Sequence, residues 1–354
     1  MEFDEKLVPR RWGRRAGRGL ARKLVLLLLV GVIGLAASLY LYAVTPSGDG
    51  VAGSRTIVVP SGSGLTGIQR VLADEQLIDD DLRFRLLARI LGVGQRLKAG
   101  EYQVDLPVTP YQLLLLLESG KTVRWSVTIP EGASLRGVAD GLAACDWLNR
   151  EEFLRLTTDK AFIHGELGLA VDSLEGYLFP DTYHLSRNLD EREVIEMMVA
   201  RLREVLNKLG VGEHGQAAQG MALHRLLTLA SIVEKETAVA SERPLIARVF
   251  LNRLAKGMRL QTDPTVIYGL SNFNGNLTKK DLLRPTPYNT YVISGLPPGP
   301  IANPGRDAIA AVLYPAEGPC LYFVSRNDGT HHFSVNLEEH NTAVAKYQKR
   351  PRRR

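Results

Sequence analysis

The chain has 354 residues, 45% of them hydrophobic and 23% charged, with a net charge of +6. That length holds two or three domains, and the balance is ordinary for a folded globular protein. The first 23 residues carry eight Lys or Arg against three acids and the tail Lys349–Arg354 adds five more positive charges, so the remainder is close to neutral, which removes most of the case for a nucleic-acid groove.

Residues 1–23 form a basic segment, followed by "LVLLLLVGVIGLAASLYLYAV", Leu24–Val44, without one charge. At 1.5 Å per residue, about 20 apolar residues cross the roughly 30 Å hydrocarbon layer. Tyr40 and Tyr42 fall near its far end, where amphipathic aromatics collect, and the basic flank predicts a cytoplasmic N-terminus. A cleaved signal peptide would have a shorter apolar run and a small-residue cleavage site, neither of which this sequence offers. The expectation is a single-pass transmembrane helix over 24–44 with the rest of the chain on the far side.

Residues 45–54, "TPSGDGVAGS", are a spacer by composition. An internal repeat follows: Ile57–Ile78 aligns without gaps onto Val127–Leu148 at an offset of 70, with Pro60, Gly62, Leu65 and Gly67 matching Pro130, Gly132, Leu135 and Gly137. Each copy predicts a short strand, a Pro/Gly turn and an amphipathic helix beginning near Leu65 or Ser134. This unit resembles the LysM module, a small βααβ fold that binds amino-sugar polymers, although turn chemistry and helix entry alone would give the same pattern. Between the copies, "AGEYQVD" predicts a strand and "TPYQLLLLLESGK" a helix with a glycine stop. A LysM-like α+β domain is expected over 55–125, with the second copy opening a larger α+β domain over 126–348. The basic tail is 349–354.

From 149 to 225 the sequence predicts helices, interrupted by "SLEGYLFPDTYHLS". Aromatics stack on sugar rings while acids take hydroxyls, so Glu175 and Tyr177 are candidates for a sugar-binding cleft. The structural alternative is a loop with aromatic plugs.

"GMALHRLLTLASIVEKE" then predicts a helix buried nearly all round. Glu234 extends a stripe carrying Leu223, Leu227 and Ala230, while Glu236 points about 200° away at 100° per residue. Two carboxylates at i and i+2 do not share one site. One faces the interior or a cleft; the other is paired or solvated. Burial on the stripe would raise the pKa of Glu234, which suits a general acid near neutral pH. The alternative is a glutamate paired with Arg243 or Arg248.

The next helix, "SERPLIARVFLNRLAKGM", has Ser241 as its expected cap, Pro244 in its first turn and Gly257 at its end. Proline-stiffened loops follow, in which Gln261, Thr262, Asp263, Tyr268, Tyr288, Asn289, Thr290, Tyr291 and Asn303 are candidates to line a polymer groove. His331 and His332 are adjacent and the other histidines scattered, so no metal site is expected. The two cysteines, Cys145 and Cys320, decide nothing.

"EGYLFPDTYH", "ASIVEKET", "NRL", "MRLQTDPTVIYG", "YNTY", "GLPPGPIANPG", "LYFV" and "HHFSVNLEEHN" together resemble the endolytic murein transglycosylase, or YceG-like, family. The resemblance runs from the anchor to about residue 348 and leaves out the basic ends. It implies a bacterial inner-membrane enzyme with a periplasmic catalytic domain. Such enzymes cleave the β-1,4 bond between N-acetylmuramic acid and N-acetylglucosamine within peptidoglycan strands, the muramoyl 6-hydroxyl attacking its own anomeric carbon to leave a 1,6-anhydro end. The family's catalytic glutamate lies in "IVEKE" and is carried to Glu234, with Asp263, Gln261 and Asn289 as candidates to hold the N-acetyl group or the oxocarbenium-like state. A penicillin-binding synthase is the implied partner, and no cofactor is implied. A muramidase using Asp263 as base for water and a non-catalytic glycan-binding anchor are the competing expectations.

Overall fold

The computed structural model describes residues 16–46, 52–212 and 221–348. They fall into two compact units, residues 1–123 with 186–188 and residues 124–185 with 189–354.

The first unit contains α1 (Ala16–Val44), β1 (Gly53–Val59), α2 (Leu65–Asp74), α3 (Leu82–Ile90), β2 (Gly100–Leu106) and α4 (Pro110–Ser119). β1 and β2 pair antiparallel from Gly53 opposite Leu106 to Val59 opposite Gly100. Strand alternation turns Ile57, Val59, Tyr102 and Val104 inward and leaves Thr56, Val58, Gln103 and Asp105 outside. Against the inner face lie Ile68 and Leu72 of α2, Phe84, Leu87 and Ala88 of α3, and Leu113, Leu114 and Leu117 of α4. Asp81 caps α3, Thr109 and Gln112 form a capping box on α4, and Gly120 ends α4 in the left-handed region. The helix and glycine stop expected after Thr109 are both present. α1 is exposed from Leu24 to Ala37, whereas Leu39, Tyr42 and Ala43 are buried in this same core.

The second unit begins with β3 (Trp125–Thr128), α5 (Leu135–Leu142) and α6 (Arg150–Leu156), then β4 (Thr182–Leu185), which pairs antiparallel with β3. The repeat therefore folds twice: Gly62 and Gly132 turn the chain at φ 75° and 74°, and both helices start three residues later. Each unit carries the order strand, helix, helix, paired strand. α7 (Glu191–Lys208), α8 (Leu223–Glu236), α9 (Arg243–Ala255), α10 (Asp263–Tyr268), α11 (Lys279–Leu283) and α12 (Arg306–Leu313) follow, then the hairpin β5 (Tyr322–Ser325) and β6 (His331–Ser334), and α13 (Leu337–Tyr347). Leu226–Val233 of α8 are all buried, packed against α9 and α12. Ser241 does not cap α9: it lies in a 3-10 turn, and the residue before α9, Glu242, is occupied by His331 instead. The mixed α+β class expected from the sequence is observed.

Candidate active site

The last turn of α8 sends its two carboxylates into different surroundings. Glu234 Oε1 accepts from Arg243 Nη2 at 2.8 Å, with the two side chains 5% and 9% exposed. Its Oε2 accepts from the backbone N–H of Gly305 at 3.0 Å, the residue that opens α12. Glu131 stands 3.5 Å from the same guanidinium, and a Cβ at position 305 would collide with it. Burial raises the Glu234 pKa, while the Gly305 N–H and Arg243 pull it back. Glu234 is thus the paired glutamate of the structural alternative: it neutralises a buried arginine and satisfies an open helix N-terminus.

Glu236 is different. Its Oε1 accepts from the Thr262 hydroxyl, and it makes no ion pair among the described residues, the charges of His331 and Arg253 acting on it from further off. Burial pushes its pKa up to about 7; the Thr262 bond offsets part of this, and the charge of Asp263 adds to it. It lines a cleft of about 400 Å³ with Gln261, Asp263, Tyr291, Tyr322 and His340. Tyr291 donates its hydroxyl proton to Asp263 Oδ1 at 2.6 Å. Gln261 holds φ 51°, rare for a side-chain-bearing residue, and its N–H is tied to Thr290 O at 3.2 Å. Such conformations cost roughly 1–3 kcal/mol and collect at working sites. Below the cleft, Thr290 Oγ1 accepts from Thr262 N–H at 3.1 Å and meets Thr265 Oγ1 at 2.8 Å, fixing the loop that carries Gln261 and Asp263.

A second carboxylate, Glu175, is also buried. It accepts from Leu135 N–H at 3.1 Å and from Tyr268 OH at 3.1 Å, and burial pushes its pKa up to about 7. Tyr268 stacks obliquely on Tyr288 at 4.7 Å. Glu175, Tyr288, His224, Pro298 and Pro300 border a cleft of about 500 Å³. The short helix α10 serves both places, presenting Asp263 at its first turn and Tyr268 at its last.

Several expected groove residues have other work. Asn289 is buried and donates to the carbonyls of Asp281, Leu282 and Arg284. Asn303, also buried, accepts from Gly176 and Leu178 N–H at 3.0 Å each and donates to Ala133 O at 2.9 Å. Thr290 is buried in the hydroxyl network, and Tyr177 is buried with its hydroxyl on His224 Nδ1 at 3.0 Å. All four are buried and held by hydrogen bonds within the fold; for Asn289 and Asn303 the partners are backbone groups that these loops bury. Tyr322 and His340, within "LYFV" and "HHFSVNLEEHN", also border the cleft, brought there by the fold and without a local sequence signal. Their rings stack at 5.2 Å, and burial, with the charge of Arg253, lowers the His340 pKa.

A sequence model of the YceG-like family matches residues 57–346. The chain is 32% identical over 305 residues to the endolytic murein transglycosylase of Bacillus subtilis (strain 168), covering 82% of this chain and 84% of that protein. It is 31% identical over 323 residues to the protein of the same name from Streptococcus pneumoniae (strain ATCC BAA-255 / R6), of whose length it spans 58%. A solved structure of a yceG-like protein from Listeria monocytogenes is similar at 35% identity and a TM-score of 0.53, over 83% of this chain and 100% of that one.

Proposed function

Because this chain belongs to the YceG-like family, we propose that it is a membrane-anchored endolytic murein transglycosylase acting within peptidoglycan glycan strands. The observation that carries the proposal is Glu236, a cleft carboxyl whose pKa of about 7 lets it both give and take a proton near neutrality. The acid role is therefore moved from Glu234 to Glu236.

Protonated Glu236 gives its proton to the glycosidic oxygen as the bond from the muramoyl anomeric carbon breaks. The muramoyl 6-hydroxyl then attacks that carbon, and its proton returns to the Glu236 carboxylate. No water is consumed, and the product ends in a 1,6-anhydro ring. An intramolecular hydroxyl has a high effective concentration, so one carboxyl suffices where a hydrolase uses two. Asp263, oriented by Tyr291, faces the positive charge that develops on the sugar. Gln261 takes the N-acetyl group in this reading, which its exposed side chain beside the cleft supports.

The same cleft supports a second reading, hydrolysis with Asp263 activating water, because both carboxylates border it. The anchor reading of α1 is supported by its exposed uncharged length, and a periplasmic active site by its basic flank. A glycan-binding role for the LysM-like units is supported by their strand–helix–helix–strand order. Strand termination implies a penicillin-binding synthase nearby.

The test is mass spectrometry of purified glycan strands digested by the full chain, wild type beside Glu236→Gln and Glu234→Gln. Internal cleavage to 1,6-anhydro ends, reduced about 100-fold or more by Glu236→Gln, is the expected result. Reducing ends would make the enzyme a muramidase. Full activity in Glu236→Gln would remove the assignment of the acid.

A further inference from the structure

We infer that the outward side of α3 is a lipid-contacting surface that rests on the bilayer into which α1 inserts. Leu82, Leu86 and Ile90 recur every four residues along α3 and are 69%, 37% and 65% exposed, so they form one apolar stripe on a helix whose opposite side, Phe84, Leu87 and Ala88, fills the core. A helix apolar on both sides needs two apolar neighbours. The core supplies one.

The position of α3 identifies the other. α1 touches both α3 and α4, and one side of its end, Leu39, Tyr42 and Ala43, enters the core of this unit while Tyr40 and Leu41 stay exposed. Arg83, the second residue of α3, lies over the Tyr42 ring at 4.5 Å and is paired with Asp79 and Asp81. That cluster of aromatic and charged groups beside the end of an apolar helix is the composition of a headgroup layer. The stripe starts one residue away, and eight residues of helix carry it only about 12 Å further. Arg89, exposed on the same helix, adds a cation next to Ile90, as interfacial helices commonly do. Tyr111 and Leu115 of α4, the other helix that α1 touches, are exposed as well. The outer face of the β1/β2 ribbon, carrying Thr56, Gln103 and Asp105, is polar apart from Val58 and faces away from this helical layer. Lipid therefore covers the helical side, and the ribbon is left to water.

The inference rests on α1 being a membrane anchor, and one preparation tests the two separately. The full chain, with Cys145 and Cys320 replaced by alanine, is labelled with an environment-sensitive fluorophore at Ile90→Cys or Gln103→Cys and assembled into nanodiscs of phosphatidylethanolamine and phosphatidylglycerol. Co-elution with the discs establishes insertion; its failure sinks the anchor reading itself. In inserted protein, emission at position 90 is expected at shorter wavelength than at 103, and spin-labelled acyl chains should quench 90 and leave 103 bright. Equal, water-like emission at both positions would overturn the inference. Blue-shifted emission at 90 that spin-labelled lipid fails to quench would also overturn it, because a protein surface would then be the cover.

Discussion

Glu234 and Glu236 sit two residues apart, and losing either is expected to stop cleavage by a different route. Glu234→Ala leaves the buried Arg243 with only Glu131, 3.5 Å away, and strands the Gly305 N–H, a loss of at most about 3–5 kcal/mol for a broken buried pair, visible as a lowered melting temperature. Glu236→Gln removes the proposed proton donor and leaves Arg243 paired, so its melting temperature at neutral pH should not fall. Activity should decline as pH rises through about 7, where Glu236 loses its proton; a pH–rate profile measures this. Stability carries the same sign. Glu175 and Glu236 hold protons in the folded state that the unfolded chain releases at the ordinary carboxylate pKa, so their contribution is full below that value and lost as pH rises through about 7. Glu175→Gln should therefore melt higher relative to wild type at pH 8 than at pH 4. Asn303→Ala leaves two buried N–H groups without acceptors, at about 1–3 kcal/mol each, and is expected to lower the melting temperature well before it alters product identity.

At the scale of elements, the repeated strand–turn–helix was legible because its signals are local. A proline, a glycine that must take positive φ and a periodic apolar helix each act within a few residues of themselves. Gly62 and Gly132 test that equivalence. Both hold φ near 75°, but position 62 is open around the added Cβ, whereas at 132 it would meet Glu234 Cγ and Lys235 Cδ at 3.4 Å. Alanine at 62 should cost only the left-handed backbone, roughly 1–2 kcal/mol, with cleavage retained. Alanine at 132 should carry the same backbone cost and add close contact with the last turn of α8, so it is the variant in which a change in turnover is expected. Measured melting temperatures and turnover for the two variants separate these outcomes. The site was less legible for the same reason that the repeat was easy. Helical spacing says that Glu234 and Glu236 diverge, but the partners that decide their roles, Arg243, Gly305 and Thr262, arrive from 9, 71 and 26 residues away. The polar residues of the proline-rich loops divide likewise: Asp263 and Gln261 face the cleft and Asn289 and Asn303 face backbone, a distinction set by burial rather than by residue type.

For the molecule as a whole, the end of α1 belongs to the core of the first unit. Cutting the chain after Val44 to obtain a soluble protein removes Leu39, Tyr42 and Ala43 from that core. A chain begun at residue 46 is expected to melt lower than the full-length protein, or to self-associate through the uncovered surface, as calorimetry and light scattering would register. On the proposed anchoring of α1 in a bilayer, two different surroundings act on the helix along its length. Hydrocarbon chains are fluid and indifferent to side-chain shape, so Leu24–Ala37 should be interchangeable with almost any uncharged apolar sequence of equal length. A folded core is not indifferent, and Leu39, Tyr42 and Ala43 should resist exchange. An anchor borrowed from another protein ought to work when it is spliced in before Ser38, and fail when the splice is moved past Ala43.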